Sequence, residues 1–527
     1  MPLATRSTVK PPGETADAHE VTQRVQPSAA AEALTHGDGT ATTEVAGPDS
    51  NTNRRAAFEH VAVLAAIAAL MFPVAHAEGG RGDGAIAWLA ILTALAVVAT
   101  RPWRRLRSAG WLVVPVLSVA ALVVIPLTGV GRGGAVAAAT YVVTAGLAVA
   151  AAAYARSPLR RAAIATLLCA GGVAQFAWAL VPWWGSGYSS SPMVGTYYWH
   201  DQFAVAMLMP ALLGLGLAVC GQRPWRFAGW VMAPLGVAGV VFSTSRATLA
   251  CLVVGWVLVV GVCLWSIERG ESSRKAWTRA VAATALAVGL ILVLPGPPLF
   301  PTHQSPFSGA SARASTGETV ASGTAYRTEF WREAITVTAH HPLAGGGYGR
   351  IGVDSARLVP PSWAHSALAH SGLLQAFGDG GLLLGVPVLL ALVLAVAAVL
   401  RRFRLRRGGG PATALVGAAA VAFLAALTHG LIDTDWTYPA LVCQFGVLLG
   451  LVLAAPAWRR SESNEPNSAA IEPIRSHDIA ARTAAAVLVA ALAVAAAVAW
   501  GQPFAINNPP AASTAPTSSP QPPGGHP

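Results

Sequence analysis

Three groups of residues in this chain have types and spacings suited to chemistry. Arg246 follows Ser243, Thr244 and Ser245 between two long apolar runs. An arginine at membrane depth is costly and marks a functional site unless it snorkels to the interface. Arg327 and Arg332 stand in Tyr326–His341, where Phe330, Ala334 and Val337 recur at helical spacing beside Trp331 and Ile335. Glu329 and Glu333 favour a solvated, ion-paired face for Arg332, whereas Arg327, four residues before Trp331, lies close to the apolar stripe. Two arginines at one face suit a diphosphate, because planar guanidinium groups donate several hydrogen bonds to clustered oxygens. His365 and His370 lie in a doubled Ala-His-Ser, and a neutral imidazole can act as a general base. Five residues apart on a helix, they point in different directions, so at most one faces a given site. His429, Asp433 and Asp435 cluster at the end of another apolar run. Capping and interfacial hydrogen bonding account for them more simply than catalysis, and their spacing does not suggest a metal set.

The composition says what must hold these groups. The chain has 527 residues, 54% apolar and only 11% charged, with 35 Lys and Arg against 24 Asp and Glu. Soluble domains carry roughly 25% charged residues, so a soluble enzyme is excluded. A net charge of +11 could suit nucleic acid, but the basic residues fall in short clusters between apolar runs, with no polar surface for a basic groove. The five cysteines all lie in or beside those runs, without CxxC or nearby histidines, so neither a disulfide nor a zinc site is expected.

Apolar runs of bilayer-spanning length occur near 56–77, 84–100, 109–128, 134–154, 162–182, 203–220, 227–243, 247–266, 278–295, 381–400, 411–430, 438–456 and 483–501. The expected fold is all-α and polytopic, with about 12–13 transmembrane helices. Placing the N-terminus in the cytoplasm puts 27 of the 35 basic residues on the cytoplasmic side and 8 outside, as the positive-inside rule requires. Residues 1–55 read as a disordered cytoplasmic tail, 457–482 as a basic cytoplasmic linker, 483–501 as an extra span, and 502–527 as a disordered Pro-rich outer tail. No apolar segment of signal-peptide type follows the first basic residues, so the first span is expected to anchor the chain. The large outer loop, about 295–380, should contain the Tyr326–His341 helix, stopped by Pro342 and Gly345–Gly347, and a second helix from near Ser362 into the membrane.

Four short motifs then occur in a recognisable order. Gly195-Thr196-Tyr197-Tyr198-Trp199-His200-Asp201-Gln202-Phe203-Ala204 resembles G-T-F-x-N-P-N-x-F-A, and Ser245-Arg246 resembles S-R-[GA]. Tyr326-Arg327-x3-Trp331, continuing to His341-Pro342-Leu343-Ala344-Gly345-Gly346-Gly347-Tyr348-Gly349, resembles R-x3-W followed by P-x-x-G-x-G-x-G. Ala369-His370-Ser371-x2-Leu374-Gln375-x3-Asp379-x-Gly381 resembles A-H-N-x2-L-[QE]-x3-E-x-G. Across residues 56–456 the chain is similar to the O-antigen ligase and Wzy polymerase family of bacterial polytopic glycosyltransferases. It departs from the family pattern at Asp201 and Ser371, where asparagine is usual, and at His200, where proline is usual.

The resemblance implies a membrane glycosyltransferase fold of the C type at the bacterial cytoplasmic (inner) membrane, with an extracytoplasmic site. It implies an undecaprenyl-diphosphate-linked glycan donor and a glycan or lipid-glycan acceptor, with membrane lipids as surroundings. Carried over by position, His370 rather than His365 is the catalytic base, because only His370 has Leu, Gln and an acid at +4, +5 and +9. Arg246 and Arg327 would hold the diphosphate, and Asp201 and Gln375 would contact substrate. Arginines can neutralise the leaving diphosphate unaided, so no metal and no cofactor are expected, and transfer should invert the anomeric carbon. The alternative is a transporter or flippase for a polar lipid or saccharide. Transporters usually carry polar residues at mid-membrane, whereas here they gather at one face.

Overall fold

The computed structural model describes residues 50–82, 84–105, 113–129, 134–185, 192–197, 199–267, 271–293, 320–360, 366–403, 410–454 and 474–500. Residues 1–49 of the expected N-terminal tail, the expected C-terminal tail, the segment 294–319, most of the basic linker and His365 lie outside the described residues.

The described residues are mostly helical, with no strand among them. Its helices are α1 (Ser50–Ala69), α2 (Ala85–Thr100), α3 (Val113–Thr128), α4 (Ala135–Tyr154), α5 (Pro158–Gly185), α6 (His200–Cys220), α7 (Arg223–Phe242) and α8 (Arg246–Ser266). There follow α9 (Glu271–Val293), α10 (Val320–His340), α11 (Ile351–Leu358), α12 (Gly372–Phe403), α13 (Gly410–Gly430), α14 (Pro439–Leu453) and α15 (Ile474–Ala499). Eleven are long and apolar enough to cross a membrane; α3 and α14 are apolar but shorter. At 15 residues, α14 spans about 23 Å against a hydrocarbon core of about 30 Å. It is short because the chain turns through Asp435–Thr437 before the helix begins. Helices α1 and α15 start at Ser50 and Ile474, so both intrude on segments expected to be tail and linker.

Helix α6 is apolar on every side, as a helix buried all round must be. Its whole apolar window is buried, and it packs against α5, α7, α8 and α13. By contrast, α8, α9 and α12 expose many Leu and Val side chains, among them Val257, Leu292 and Val393, which suits contact with lipid. One buried acid ties several elements together. Glu59 of α1 pairs with Arg105, beyond α2, and with Arg160 of α5, whose Nη1 lies 2.8 Å from Oε1.

The frame of the site is set where α12 breaks. Gly381 has φ 56° and ψ −146°, a region open essentially only to glycine, and the break frees helical carbonyls and amides. The glycine-rich segment after α10 satisfies them. Gly346 N and Gly347 N donate to the Gly378 and Asp379 carbonyls (2.9 and 3.0 Å), while Leu382 N and Leu383 N donate to the Pro342 and Leu343 carbonyls (2.8 and 3.1 Å). The approach leaves no room for a side chain. A Cβ on Gly381 would lie 2.6 Å from the Leu343 carbonyl, and one on Gly345 would lie 2.5 Å from Gly380 N. Tyr348 then enters the bundle, its hydroxyl donating to the Ala121 carbonyl of α3 at 2.8 Å. Gly381→Ala is therefore expected to cost about 1–3 kcal/mol from backbone strain alone, read as a lower thermal midpoint in detergent. An unchanged midpoint would show that the loop does not depend on this glycine.

Candidate functional site

Helix α10 forms as its spacing predicts, and Arg327, Phe330 and Trp331 on one side of it reach Asp433 and His370. The expected helix from Ser362 does not form over the described part of that stretch. Residues 366–371 are bends and irregular backbone, the short α11 ends before this stretch at Leu358, and α12 begins only at Gly372. His370 cannot be helical, because its φ is +48°, the left-handed region that non-glycine residues rarely occupy. Three contacts hold it there. Trp331 Nε1 donates to the His370 carbonyl at 3.1 Å, and the Phe330 ring stacks on the imidazole with centroids 4.9 Å apart. Ala369 N donates to Gln375 Oε1 at 2.9 Å.

Asp433 lies between the arginine and the histidine. It is buried, and its Oδ2 accepts from Arg327 Nη2 at 2.7 Å. Its Oδ1 lies 3.8 Å from His370 Nδ1, too far for a hydrogen bond but close enough to stabilise an imidazolium. The Thr434 amide fixes Asp433 by donating to Oδ1 at 2.7 Å. Arg81 steadies the following turn. Its Nη2 donates to Thr437 Oγ1 at 2.9 Å, and its guanidinium lies over the Tyr438 ring. Burial lowers the His370 pKa below its ordinary value; the Asp433 carboxylate opposes this and Arg327 reinforces it. His370 is thus neutral and able to accept a proton at physiological pH.

The remaining predicted residues divide. Asp201, in the first turn of α6, joins this cluster, and together with His429 and Asp433 it brings potential ligand atoms within 4.8 Å of one another. This trio is the one set among the described residues able to hold a cation. Asp433 already pairs with Arg327, and His429 Nδ1 contacts Asp435 Oδ2 at 2.7 Å. Gln375 is buried, and both ends of its amide are engaged, with Ala369 N and with Asp379 Oδ1 at 3.0 Å. Arg246 opens α8 after a strained turn, with Thr244 at φ +61° and Ser245 capping the helix through Thr248 N. It is exposed and has no ion-pair partner among the described residues. No contact joins it to Arg327 or His370. Arg332 is exposed, as its neighbours predict.

Sequence reasoning missed the role of Asp433, reading it as a capping residue. Gln202 also converges here, its Nε2 lying 3.0 Å from Thr434 Oγ1 and 3.4 Å from Asp433 Oδ1. The available signal was a pair of acids just past a span, on the same face as the arginines.

A polytopic all-α membrane protein with a histidine, an arginine and a buried carboxylate gathered where its spans end is the class that fold and site define. The family model described as O-antigen ligase matches residues 227–389, which contain Arg246, Arg327, His370 and Gln375 but neither Asp201 nor Asp433. Over that segment, under a third of its length, the chain is similar to the O-antigen ligase family. No curated protein matches the chain.

Proposed function

We propose that the protein transfers or polymerises glycan from an undecaprenyl-diphosphate-linked donor onto a hydroxyl acceptor, at the outer face of the bacterial cytoplasmic membrane and with its N-terminus inside. The observation that carries this reading is Asp433 held between Arg327 and His370. With Nδ1 toward Asp433, His370 has Nε2 left to take the acceptor hydroxyl proton as the oxygen attacks the anomeric carbon. The anomeric carbon–oxygen bond to the diphosphate breaks, and undecaprenyl diphosphate leaves with its charge met by Arg327 and Arg246. Attack opposite the leaving group inverts the anomeric centre. The imidazolium formed is stabilised by Asp433, and Gln375 and Asp379 hold the backbone beside the base. On this reading the arginines make a metal unnecessary.

The test uses purified full-length protein in detergent with undecaprenyl-diphosphate-linked glycans, with and without chelator, following release of undecaprenyl diphosphate and growth of the glycan. Release unaffected by chelator is expected. Loss on chelation, restored by a divalent cation, would instead give Asp201, His429 and Asp433 a metal. Arg246→Lys and Arg327→Lys should each lower kcat/KM by about tenfold or more, because an ammonium lacks the planar two-point contact. Wild-type rates in both variants would remove the diphosphate clamp. No release from any extracted lipid by folded protein would favour transport, tested as flux in liposomes.

A further inference from the structure

A cavity of about 650 Å³ opens between the end of α3, the glycine-rich segment and α11. Arg350, Asp354 and Arg357 line it on one side and His341 and Leu343 on another, and none of Arg246, Arg327, His370 or Asp433 borders it. Its size lies within the roughly 300–1,000 Å³ usual for small-molecule sites. Its charges are arranged unevenly. Arg350 Nη2 faces Asp354 Oδ1 at 3.7 Å, while Arg357 is exposed and has no ion-pair partner among the described residues. Gly346 makes room for the carboxylate, since a Cβ there would lie 2.3 Å from Asp354 Oδ2. A paired guanidinium and carboxylate offer donors and acceptors to sugar hydroxyls, and the second arginine adds a net positive charge.

The cavity is also coupled to the base. The loop that forms its wall donates from Gly349 N to Asp379 Oδ1 at 3.2 Å, the same oxygen that accepts from Gln375 Nε2. Gln375 in turn receives the amide of Ala369, next to His370. A ligand held against this loop shares one hydrogen-bonded frame with the imidazole. A transferase must hold two substrates at once, and the clustered cation Arg327 stands apart from this space.

We propose that the cavity is the acceptor subsite and that it selects a glycan bearing an anionic group, a carboxylate or a phosphodiester, through Arg357, with Arg350 and Asp354 contacting hydroxyls. The acceptor label rests on the transferase reading above; the anion selectivity does not.

The experiment is direct calorimetric binding to full-length protein in detergent. The probes are an oligogalacturonate, a glycerol phosphate oligomer, a neutral maltooligosaccharide of matching length, and undecaprenyl diphosphate. At least one acidic probe should bind more tightly than the neutral one. Arg357→Glu should weaken that probe tenfold or more and leave undecaprenyl diphosphate within twofold, while Arg327→Lys does the reverse. Equal binding of acidic and neutral probes, no acidic binding, or an acidic probe indifferent to Arg357→Glu would each overturn the proposal. So would loss of undecaprenyl diphosphate binding in Arg357→Glu, which would make the cavity part of the donor site. Arg357-dependent acidic binding without any glycan transfer would keep the anion site and remove the transferase reading. His370-dependent transfer with Arg357→Glu binding unchanged would do the opposite.

Discussion

Replacing His370 with asparagine is expected to lower single-turnover glycan transfer by about 10²- to 10⁴-fold, the usual contribution of a positioned general base, while thermal stability stays close to wild type. Asparagine is the informative choice because of the backbone. His370 sits at φ +48°, where alanine would add strain of its own, whereas asparagine tolerates the left-handed region. The Trp331 contact to the residue 370 carbonyl and the Ala369 contact to Gln375 are made by main-chain atoms, so both survive the change. What disappears is a ring nitrogen able to take a proton, along with the stacking on Phe330. His365→Ala should transfer at nearly the wild-type rate. Retention of transfer within a few-fold in His370→Asn, or equal losses at both histidines, would remove His370 as the base.

Asp433→Asn should produce the second large effect, and it has a sign that a merely structural role does not predict. The base must be neutral to act, so the rate should rise with pH through the His370 pKa and then level off, with that limb below the ordinary histidine value of about 6.5. The Asp433 carboxylate raises this pKa. Removing its charge moves the acid limb to still lower pH. Arg327 lowers the same pKa, so Arg327→Gln moves the limb upward. On the plateau, Asp433→Asn should slow transfer by roughly ten- to a hundredfold. A hydrogen bond to a charged group contributes about 1.5–3 kcal/mol, here shared between orienting Arg327 and stabilising the imidazolium. Limbs that do not move, or move together, would show that Asp433 acts on folding alone.

The two substitutions also separate what could be read from residue order from what could not. His370 and Arg327 stood in short motifs that resemble those of the family, and it was that resemblance that pointed to them. Asp433 had no such signal, since it is 106 residues from Arg327 in sequence and is joined to it only by folding. Gln375 was read as a substrate contact from its motif position, yet both ends of its amide are bound within the protein. A motif reports that a residue type is required, not which way its side chain faces.

Composition and hydrophobic run length by themselves determined an all-α membrane protein, because a backbone in hydrocarbon must satisfy its hydrogen bonds within each helix. The same local physics marked helix α10 and its end at Pro342. The break at Gly381, the left-handed backbone at His370, the late start of α12 and the placement of Asp433 were decided by tertiary structure. Each depends on a partner far away in sequence: the glycine-rich loop supplies hydrogen bonds to the broken helix, Trp331 and Phe330 hold the histidine, and the turn before α14 brings the carboxylate. Propensity and periodicity report on neighbours within a few residues, so they carry no information about such contacts.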